Sequence, residues 1–397
     1  MDLAITVLQI IFSLCGAYMV VLGLFSLKRP RPILPGRRKQ RFVCLIAARN
    51  EESVISDAVG SLLSQNYPQE LVEVIVVPNN CTDNTHAAAL AAGATVWDCP
   101  AGTRCKGDAL HYAVDRLLRE REFDVLCVFD ADNIVHPDFV SRMDDAFCAG
   151  ARVAKGALRV KNPYDSWVSG CYGLYFALFD RFYSRPRMTL RLSSKLVGTG
   201  FGVSREALAE LGGWNTTTLA EDAEFSAQCV ANGERVWFVE SAVTYDEAPR
   251  DFLTTIKQRR RWCSGLMDVA ACMDKPLVAA LSQPHPFRTL DFLFFLNYPF
   301  VYLASLVPSA ASLVLHACRR QLYIYIMMFL VELAVLYLGC VAFGGVLAWL
   351  AGLRDGRIVL TLLGFPIFMA SWLPLQIFSL VKRVRHWQPI QHGAVLK

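Results

Sequence analysis

Val125-Leu-Cys-Val-Phe-Asp-Ala-Asp-Asn133 is an apolar run that ends in two alternate carboxylates, and its reading decides the fold. Val125–Phe129 is short, apolar throughout and bounded by charge, the pattern of a strand covered on both faces in a parallel sheet. Asp130 and Asp132 then stand at its carboxyl end. Residues i and i+2 of an extended chain point to the same side, and open α/β sheets bind ligands at the carboxyl ends of their strands. Two hard oxygen ligands in that position suit Mg²⁺ or Mn²⁺ carrying a diphosphate. A solvated turn can also offer Asp-x-Asp, so the pattern gains weight only from its surroundings.

Upstream, Phe42–Ala47 and Val72–Val77 repeat the apolar run, with helical stretches at Glu52–Gln65 and Thr85–Ala92 between them. This alternation predicts an α/β domain over residues 42–265, built on a parallel sheet with helices on its faces. The first strand runs into Ala48-Arg-Asn-Glu-Glu52 and the second into Pro78-Asn-Asn-Cys-Thr-Asp-Asn-Thr85. Glu51, Asn79 and Asp83 in these clusters are candidates for nucleotide contacts. Asn, Asp and Thr also cap turns and helix starts, and one residue can do both. Lys106 precedes a helix that continues through Leu118, where a mobile cation reaches a phosphate near the helix N-terminus.

Further along, Asp165–Met188 mixes aromatic residues with Arg181, Arg185 and Arg187, which fits either a core helix or one lying at a membrane interface. Gly198-Thr-Gly-Phe-Gly202 is a flexible turn that lets backbone approach a partner closely. Leu219-Ala-Glu-Asp-Ala-Glu-Phe225 opens an amphipathic helix with Glu221 and Asp222 in its first turn, where helix-dipole complementarity alone also favours carboxylates. Gln258-Arg-Arg-Arg-Trp262 ends the soluble part. Its arginines read as a lipid-headgroup face or as a clamp on a diphosphate, with the indole stacking on a sugar ring.

Composition sets this domain in a membrane context. The 397 residues are 54% hydrophobic and 19% charged, too apolar for an ordinary soluble enzyme. Leu3–Leu27 is long enough to span a bilayer and precedes Lys28, Arg29, Arg31, Arg37, Arg38, Lys39 and Arg41, so residues 1–41 read as a retained anchor whose basic flank is cytoplasmic. Apolar segments recur at Leu290–Leu315, Leu322–Leu350 and Ile358–Leu380, so residues 266–397 read as an interfacial segment followed by spans and a basic tail. Glu332 inside one span is a functional candidate or faces packed helices. Three spans after a cytoplasmic domain put the C-terminus outside, whereas Lys382, Arg383, Arg385 and His386 argue for inside. One segment, such as Leu290–Leu315, is then partly interfacial. The net charge of +5 is modest, and no nucleic-acid motif is present. The 13 cysteines lack paired zinc spacing and act as small hydrophobes in a reduced compartment.

Taken in order, Ala48-Arg-Asn-Glu-Glu52, Phe129-Asp-Ala-Asp-Asn133, Gly198–Gly202, Ala220-Glu-Asp222 and Gln258-Arg-Arg-Arg-Trp262 resemble the membrane-bound family-2 glycosyltransferases, which include the synthases of cellulose, chitin, hyaluronan and poly-N-acetylglucosamine. The resemblance implies an α/β GT-A fold that binds a nucleotide-sugar donor, with N- and C-terminal transmembrane helices in the cell membrane. It implies Asp130 and Asp132 at the metal and diphosphate, Asp222 as general base beside Glu221, and Lys106 near the nucleotide. It places Gln258, Arg261 and Trp262 at the donor diphosphate and acceptor, and Gly200 and Phe201 on the acceptor side. Where the family has Asp-Asp-Gly-Ser, this chain has Pro78-Asn79-Asn80-Cys81, so contacts to the base become neutral there, while Asp83 matches the later carboxylate. The expected reaction is an inverting, Mg²⁺- or Mn²⁺-dependent transfer from a UDP-sugar, repeated so as to make and export a β-linked polymer of glucose or N-acetylglucosamine; a single transfer to a membrane lipid acceptor is the alternative. A non-catalytic channel or scaffold is the third reading. A polymer channel with so few spans implies homo-oligomerisation or a small accessory subunit.

Overall fold

The computed structural model describes residues 2–28, 30, 32–36, 39–318 and 322–384. Arg29, Arg31, Arg37, Arg38, Arg385 and His386 of the basic flanks lie outside the described residues. The three apolar runs form β1 (Phe42–Ala48), β2 (Val72–Pro78) and β4 (Val125–Asp130), joined by β3 (Thr95–Val96) and later by β5 (Ile134–Val135), β6 (Val153–Val160), β7 (Phe201–Ser204) and β8 (Val236–Asp246). The eight make one sheet in the order β3-β2-β1-β4-β7-β6-β8-β5. β1 to β4 are parallel, as the alternation predicts, and β6 runs parallel to β8. The sheet as a whole is mixed, because β7 lies antiparallel between β4 and β6 and β5 lies antiparallel to β8. Gly198–Gly200 turns at the carboxyl end of β4 and feeds β7 backwards along it, with Phe201 opposite Val128 and Ser204 opposite Val125. The second glycine is required there: Gly200 has φ of +64°, and a Cβ on it would come within 2.6 Å of the Thr244 hydroxyl.

Alternation along the strands sorts the core into two layers. Ile46, Val76 and Phe129 pack with α2 (Ile55–Leu63) and α5 (Phe139–Cys148), while Leu45, Ile75 and Val128 pack with α4 (Lys106–Glu120) and α9 (Glu221–Ala231). α3 (Thr85–Ala91) and α8 (Arg205–Glu210) complete the soluble layers. Trp214 is fully buried and stacks at 4.0 Å on Phe225 and 5.8 Å on Phe201. Truncating a side chain packed this way costs about 3–5 kcal/mol.

The aromatic stretch after residue 165 forms α6 (Trp167–Leu178), a π-helical turn at Phe179–Ser184 and α7 (Arg185–Thr189). α10 spans Phe252–Ala279, so Trp262 sits mid-helix and does not end the soluble part. α1 (Asp2–Leu24), α11 (Pro286–Cys318), α12 (Leu322–Ala351) and the consecutive α13 (Ile358–Ala370) and α14 (Trp372–Val381) carry the apolar segments. Four stretches are long and apolar enough to cross a membrane: Leu3–Leu27, Pro286–Leu315, Tyr323–Ala351 and Ile358–Val381. Glu332 is exposed on α12 and does not face packed helices.

The last of these stretches differs from the others. It breaks at Ser371, and both of its ends return to the α/β part of the chain or to α10. At one end Arg357 lies 5.0 Å over Tyr164, and Gly170 and Gly364 let α6 and α13 cross closely. At the other end the Val384 amide donates to the Ser264 hydroxyl at 3.1 Å, and Arg383 pairs with Asp268. Between them the buried Arg259 donates to the Phe368 carbonyl at 2.9 Å. α1 and α11 instead meet the soluble part at one end each. Tyr18 near the end of α1 donates to Asp291 near the start of α11 at 2.7 Å, and Asp291 pairs at 2.8 Å with the fully buried Arg187 of α7.

Candidate active site

The parallel register brings three polar chain ends to one edge, because Ala47 of β1 is opposite Asp130 and Ala48 is opposite Pro78. The loops after β1 and β2 turn through left-handed asparagines, Asn50 at φ 59° and Asn80 at φ 51°, a conformation that Asn tolerates better than most residues. The two loops then clasp each other. Asn50 accepts from the Thr82 amide at 2.8 Å, and Glu52 accepts from the Asn84 amide and side chain, both at 3.1 Å. Glu51 and Asn79 line the cavity, while Asp83 does not. Asp83 accepts from the Thr85 hydroxyl and amide and from the Glu52 amide; burial raises its pKa, but these hydrogen bonds prevail and lower it. In this structure its carboxylate thus serves the turn between the two loops and stands away from the cavity lining.

Asp130 and Asp132 face the cavity, and Lys106, at the first turn of α4, bridges Asp130 Oδ1 and the Gly198 carbonyl at 2.5 Å each. Lys106 also stands 3.8 Å from Glu221. Burial works against its charge, yet Asp130 and Glu221 hold its pKa above the usual lysine value. Glu221 and Asp222 open α9. Asp222 Oδ2 accepts from the Gly198 amide at 2.7 Å, and Oδ1 from the Ala223 amide at 2.8 Å. Burial pushes the Glu221 carboxyl up to about 7, aided by Asp222 and opposed by Lys106.

A third strand end joins them. Asp246, the last residue of β8, accepts from Asn133 at 3.1 Å, and burial together with Asp132 and Asp130 raises its pKa well above the usual carboxylate range. Carboxylates that converge in a buried place, as Asp246 does on Asp132 and Asp130, are a donor set that a hard divalent cation fits. Among the described residues no three acidic, histidine or cysteine groups form a metal site by themselves. Two carboxylates completed by phosphate oxygens are the usual way that Mg²⁺ is held.

α10 supplies the opposite wall. Gln258, Arg261 and Trp262 fall on one helical face, at i, i+3 and i+4, and all three line the cavity. Gln258 accepts from Tyr172 at 2.6 Å, and Trp262 stacks 6.3 Å from Trp372. The three consecutive arginines go to three places. Arg259 is buried against Phe368, Arg260 donates to the Lys382 carbonyl, and Arg261 alone reaches the cavity. Gly265 allows α10 this close to the catalytic turn, since a Cβ on it would lie 2.8 Å from that of Ala220.

The cavity measures about 1160 Å³ and continues from the carboxylates to an apolar half. That half is walled by Met19 of α1, Phe179 and Phe182 of the π-helical turn, Phe295 and Tyr298 of α11, and Trp372 of α14. Gly200 and Phe201, expected on the acceptor side, do not line it. Phe201 is 1% exposed and packed on Trp214, because the residues after Gly200 are a central strand; Gly198 and Thr199 take the cavity wall in their place. Sequence reasoning missed Asp246, Glu247 and Lys195, which also line the cavity. For Asp246 a signal existed: Val236–Asp246 ends an apolar strand in a carboxylate, as Val125–Asp130 does. Lys195 carries no pattern at all.

This sheet, with acidic strand ends facing an Arg-Trp helix, defines a nucleotide-sugar transferase of the GT-A class. The sequence pattern described as "Glycosyltransferase like family 2" matches residues 40–265, and the chain belongs to that family. It is 30% identical over 231 residues to a β-monoglucosyldiacylglycerol synthase of Synechocystis sp., covering 56% of this chain and 47% of that protein. It is 28% identical over 233 residues to the probable glycosyltransferase YdaM of Bacillus subtilis, covering 56% and 54%. A poly-β-1,6-N-acetyl-D-glucosamine synthase of Staphylococcus aureus is 22% identical over 226 residues, covering 56% and 53%. The chain spans about half the length of the curated relatives it matches. Among solved structures, the mannosyltransferase PcManGT of Pyrobaculum calidifontis, in complex with GDP-Man and Mn²⁺, superposes with a TM-score of 0.63 at 20% identity, covering 94% of this chain and 99% of that one. The likeness is one of fold.

Proposed function

We propose that this chain is an inverting membrane glycosyltransferase that moves one sugar from a nucleotide-diphosphate donor, of the UDP type, to the hydroxyl end of a membrane lipid. The observation that carries the reading is the continuity of the cavity: its carboxylate end opens into an apolar half walled by α1, α11 and α14. A lipid tail matches such walls, whereas a polysaccharide leaving through them would lose its water contacts to apolar side chains. Expected repeated addition to a polymer remains the second reading, favoured by the Trp262 and Trp372 rings, which suit pyranose stacking. The relatives include named synthases of both kinds.

In the reaction the acceptor oxygen attacks the anomeric carbon from the face opposite the diphosphate. The carbon–oxygen bond to the diphosphate breaks, and the diphosphate leaves with the electron pair. Asp222 takes the hydroxyl proton, a general-base contribution of about 10²–10⁴ in rate. Its carboxylate is aimed by the Gly198 and Ala223 amides. Arg261, which has no hydrogen-bonded partner among the described residues, receives the departing charge. Lys106 shifts from Asp130 toward phosphate. Mg²⁺ or Mn²⁺ held by Asp130 and Asp132 supplies further neutralisation of the diphosphate when bound. Glu51 and Asn79 face the nucleotide and Gln258 the diphosphate, while Trp262 packs on the acceptor.

We further propose that α1, α11 and α12 cross the membrane and that α13–α14 lies along its cytoplasmic face, its two ends being tied to α6 and α10. Three crossings then leave the catalytic domain, Lys28, Lys382 and Arg383 all on the cytoplasmic side, in accord with the positive-inside rule. The interfacial segment is thus Ile358–Val381, in place of the expected Leu290–Leu315. The experiment is turnover of purified protein with Mg²⁺ or Mn²⁺, labelled nucleotide sugars and membrane lipid, with products resolved by size and by partition. One lipid-soluble product supports the reading; a ladder of water-soluble polymer overturns it in favour of a synthase.

A further inference from the structure

Three arginines from segments far apart in the chain meet where α11 begins, and none of them lines the catalytic cavity. Arg235, just before β8, is half-buried. It donates through Nε to the Leu192 carbonyl at 3.0 Å and through Nη2 to the Met188 carbonyl at 3.1 Å, and lies 5.1 Å over the Trp237 ring. Arg288, in the first turn of α11, donates through Nη1 to the Gly233 carbonyl at 2.9 Å, two residues before Arg235; its Nε is buried without a partner. Arg191 adjoins Leu192 and takes the left-handed position that ends α7, with φ of 58°, where Gly or Asn is the usual choice.

Among the described residues none of the three pairs with a carboxylate. The acidic groups beside them in the chain are engaged elsewhere, Glu234 by Arg152 and Asp291 by Arg187. Burial, together with the charges of Arg288 and Arg191, pushes the Arg235 guanidinium down to about 10. Guanidiniums gathered without a counter-charge lose hydration and gain no ion pair in return. An anion with several oxygens relieves this, because the forked donors match it geometrically. The surroundings say which kind of anion. Phe287 and Leu290 flank Arg288 and are 78% and 51% exposed, at the head of a stretch long and apolar enough to cross a membrane. A headgroup whose acyl chains enter the bilayer meets both the cations and these side chains, whereas a free anion leaves the apolar pair unused.

We propose that Arg191, Arg235 and Arg288 form a binding site for the phosphodiester headgroup of an anionic lipid in the leaflet that faces the α/β domain, with its acyl chains along Phe287 and Leu290. This lipid is bound outside the cavity, keeps all its bonds and is not the sugar acceptor, so the site stands whether the acceptor is a lipid or a polymer. Its place in the fold gives it a role. Asp291, one turn beyond Arg288, is the carboxylate that joins Tyr18 of α1 to Arg187 of α7, so the bound lipid braces the junction of α1, α7 and α11.

The test is binding to the purified full chain in nonionic detergent, using dihexanoylphosphatidylglycerol, dihexanoylphosphatidylcholine, inorganic phosphate and UDP as probes. The phosphatidylglycerol is expected to bind roughly ten- to hundredfold more tightly than the phosphatidylcholine, the margin of hydrogen bonds to a charged group, and inorganic phosphate far more weakly. The double variant Arg191→Gln with Arg288→Gln removes that margin. Lys28→Gln, a neutralised cation at the end of α1, keeps it, and UDP binds all three proteins alike. Equal affinity of wild type for the two lipids overturns the proposal and needs no variant. A margin that survives in the double variant, or falls as far in Lys28→Gln, shows diffuse attraction to a basic surface and overturns it. Inorganic phosphate binding as tightly as phosphatidylglycerol makes this a free-anion site and also overturns it. If the double variant loses UDP binding, Arg191→Gln alone takes its place, since that side chain makes no internal hydrogen bond, and an undiminished margin there overturns the proposal.

Discussion

The two halves of the cavity are built on opposite principles. The polar half is made by backbone register: parallel strands end together, and Asp130, Asp132 and Asp246 converge because β4 and β8 stop at the same edge. The apolar half is made by packing between elements far apart in the chain, with Met19, Phe182, Tyr298 and Trp372 drawn from four of them. The first half is rigid and charged and suits a diphosphate, for which preorganised dipoles in a water-poor site are effective. The second is formed by apolar side chains of separate elements and suits an apolar occupant. On the proposed function, chemistry and acceptor choice are separated in this way, and substitutions on one side should leave the other intact.

The largest effect is expected from Asp222→Asn, which removes the proposed base and should lower the rate of transfer by about 10²–10⁴ while nucleotide binding persists. Calorimetry with nucleotide and a turnover assay check this; full turnover by the variant would remove Asp222 from the mechanism. Next comes Gly265→Val, which pushes α10 off Ala220 and separates the polar half from Arg261 and Trp262. Misplacement of about 1 Å costs on the order of 10²-fold, so kcat should fall although no polar residue changes. A third substitution, Tyr298→Ala, acts on the apolar half alone and should raise the KM for lipid roughly tenfold through lost apolar contact, with nucleotide affinity unaltered. Weakened nucleotide binding would show that the halves are coupled after all.

The smallest effect concerns pH. Glu221 holds its proton up to about pH 7 in the folded protein, against an ordinary glutamate value of 4.5. Between those values the native state binds more protons than the unfolded one, so this residue makes stability fall as pH rises through the window. Glu221→Gln should flatten that part of the pH dependence of thermal unfolding. An unchanged slope would place the titration elsewhere.

How much of this was legible beforehand differs between the halves. Val125–Asp132 announces both a buried strand and its ligand end, because apolar runs and i, i+2 carboxylates are local patterns. The Gln258, Arg261 and Trp262 face follows in the same way from helical spacing. Asp83 was less legible, because a carboxylate in a polar loop reads alike whether it caps a turn or meets a ligand; the positions of Thr85 and Glu52 show the turn bonds. Phe201 misled because the glycines around it suggested a loop, whereas pairing with β4 and β6 makes it a strand.

By itself, the sequence determined the family-2 assignment, the strands that carry the polar edge and the apolar stretches that mark a membrane protein. Each of these rests on patterns within a few residues or on composition, which folding does not alter. The tertiary structure alone decided that the sheet is mixed, that Asp246 joins Asp132, that Ile358–Val381 returns to α6 and α10, and that Lys195 lines the cavity beside Phe179 and Phe295. Those facts depend on which distant segments meet, and contacts between segments a hundred residues apart leave no local trace in the order of the amino acids.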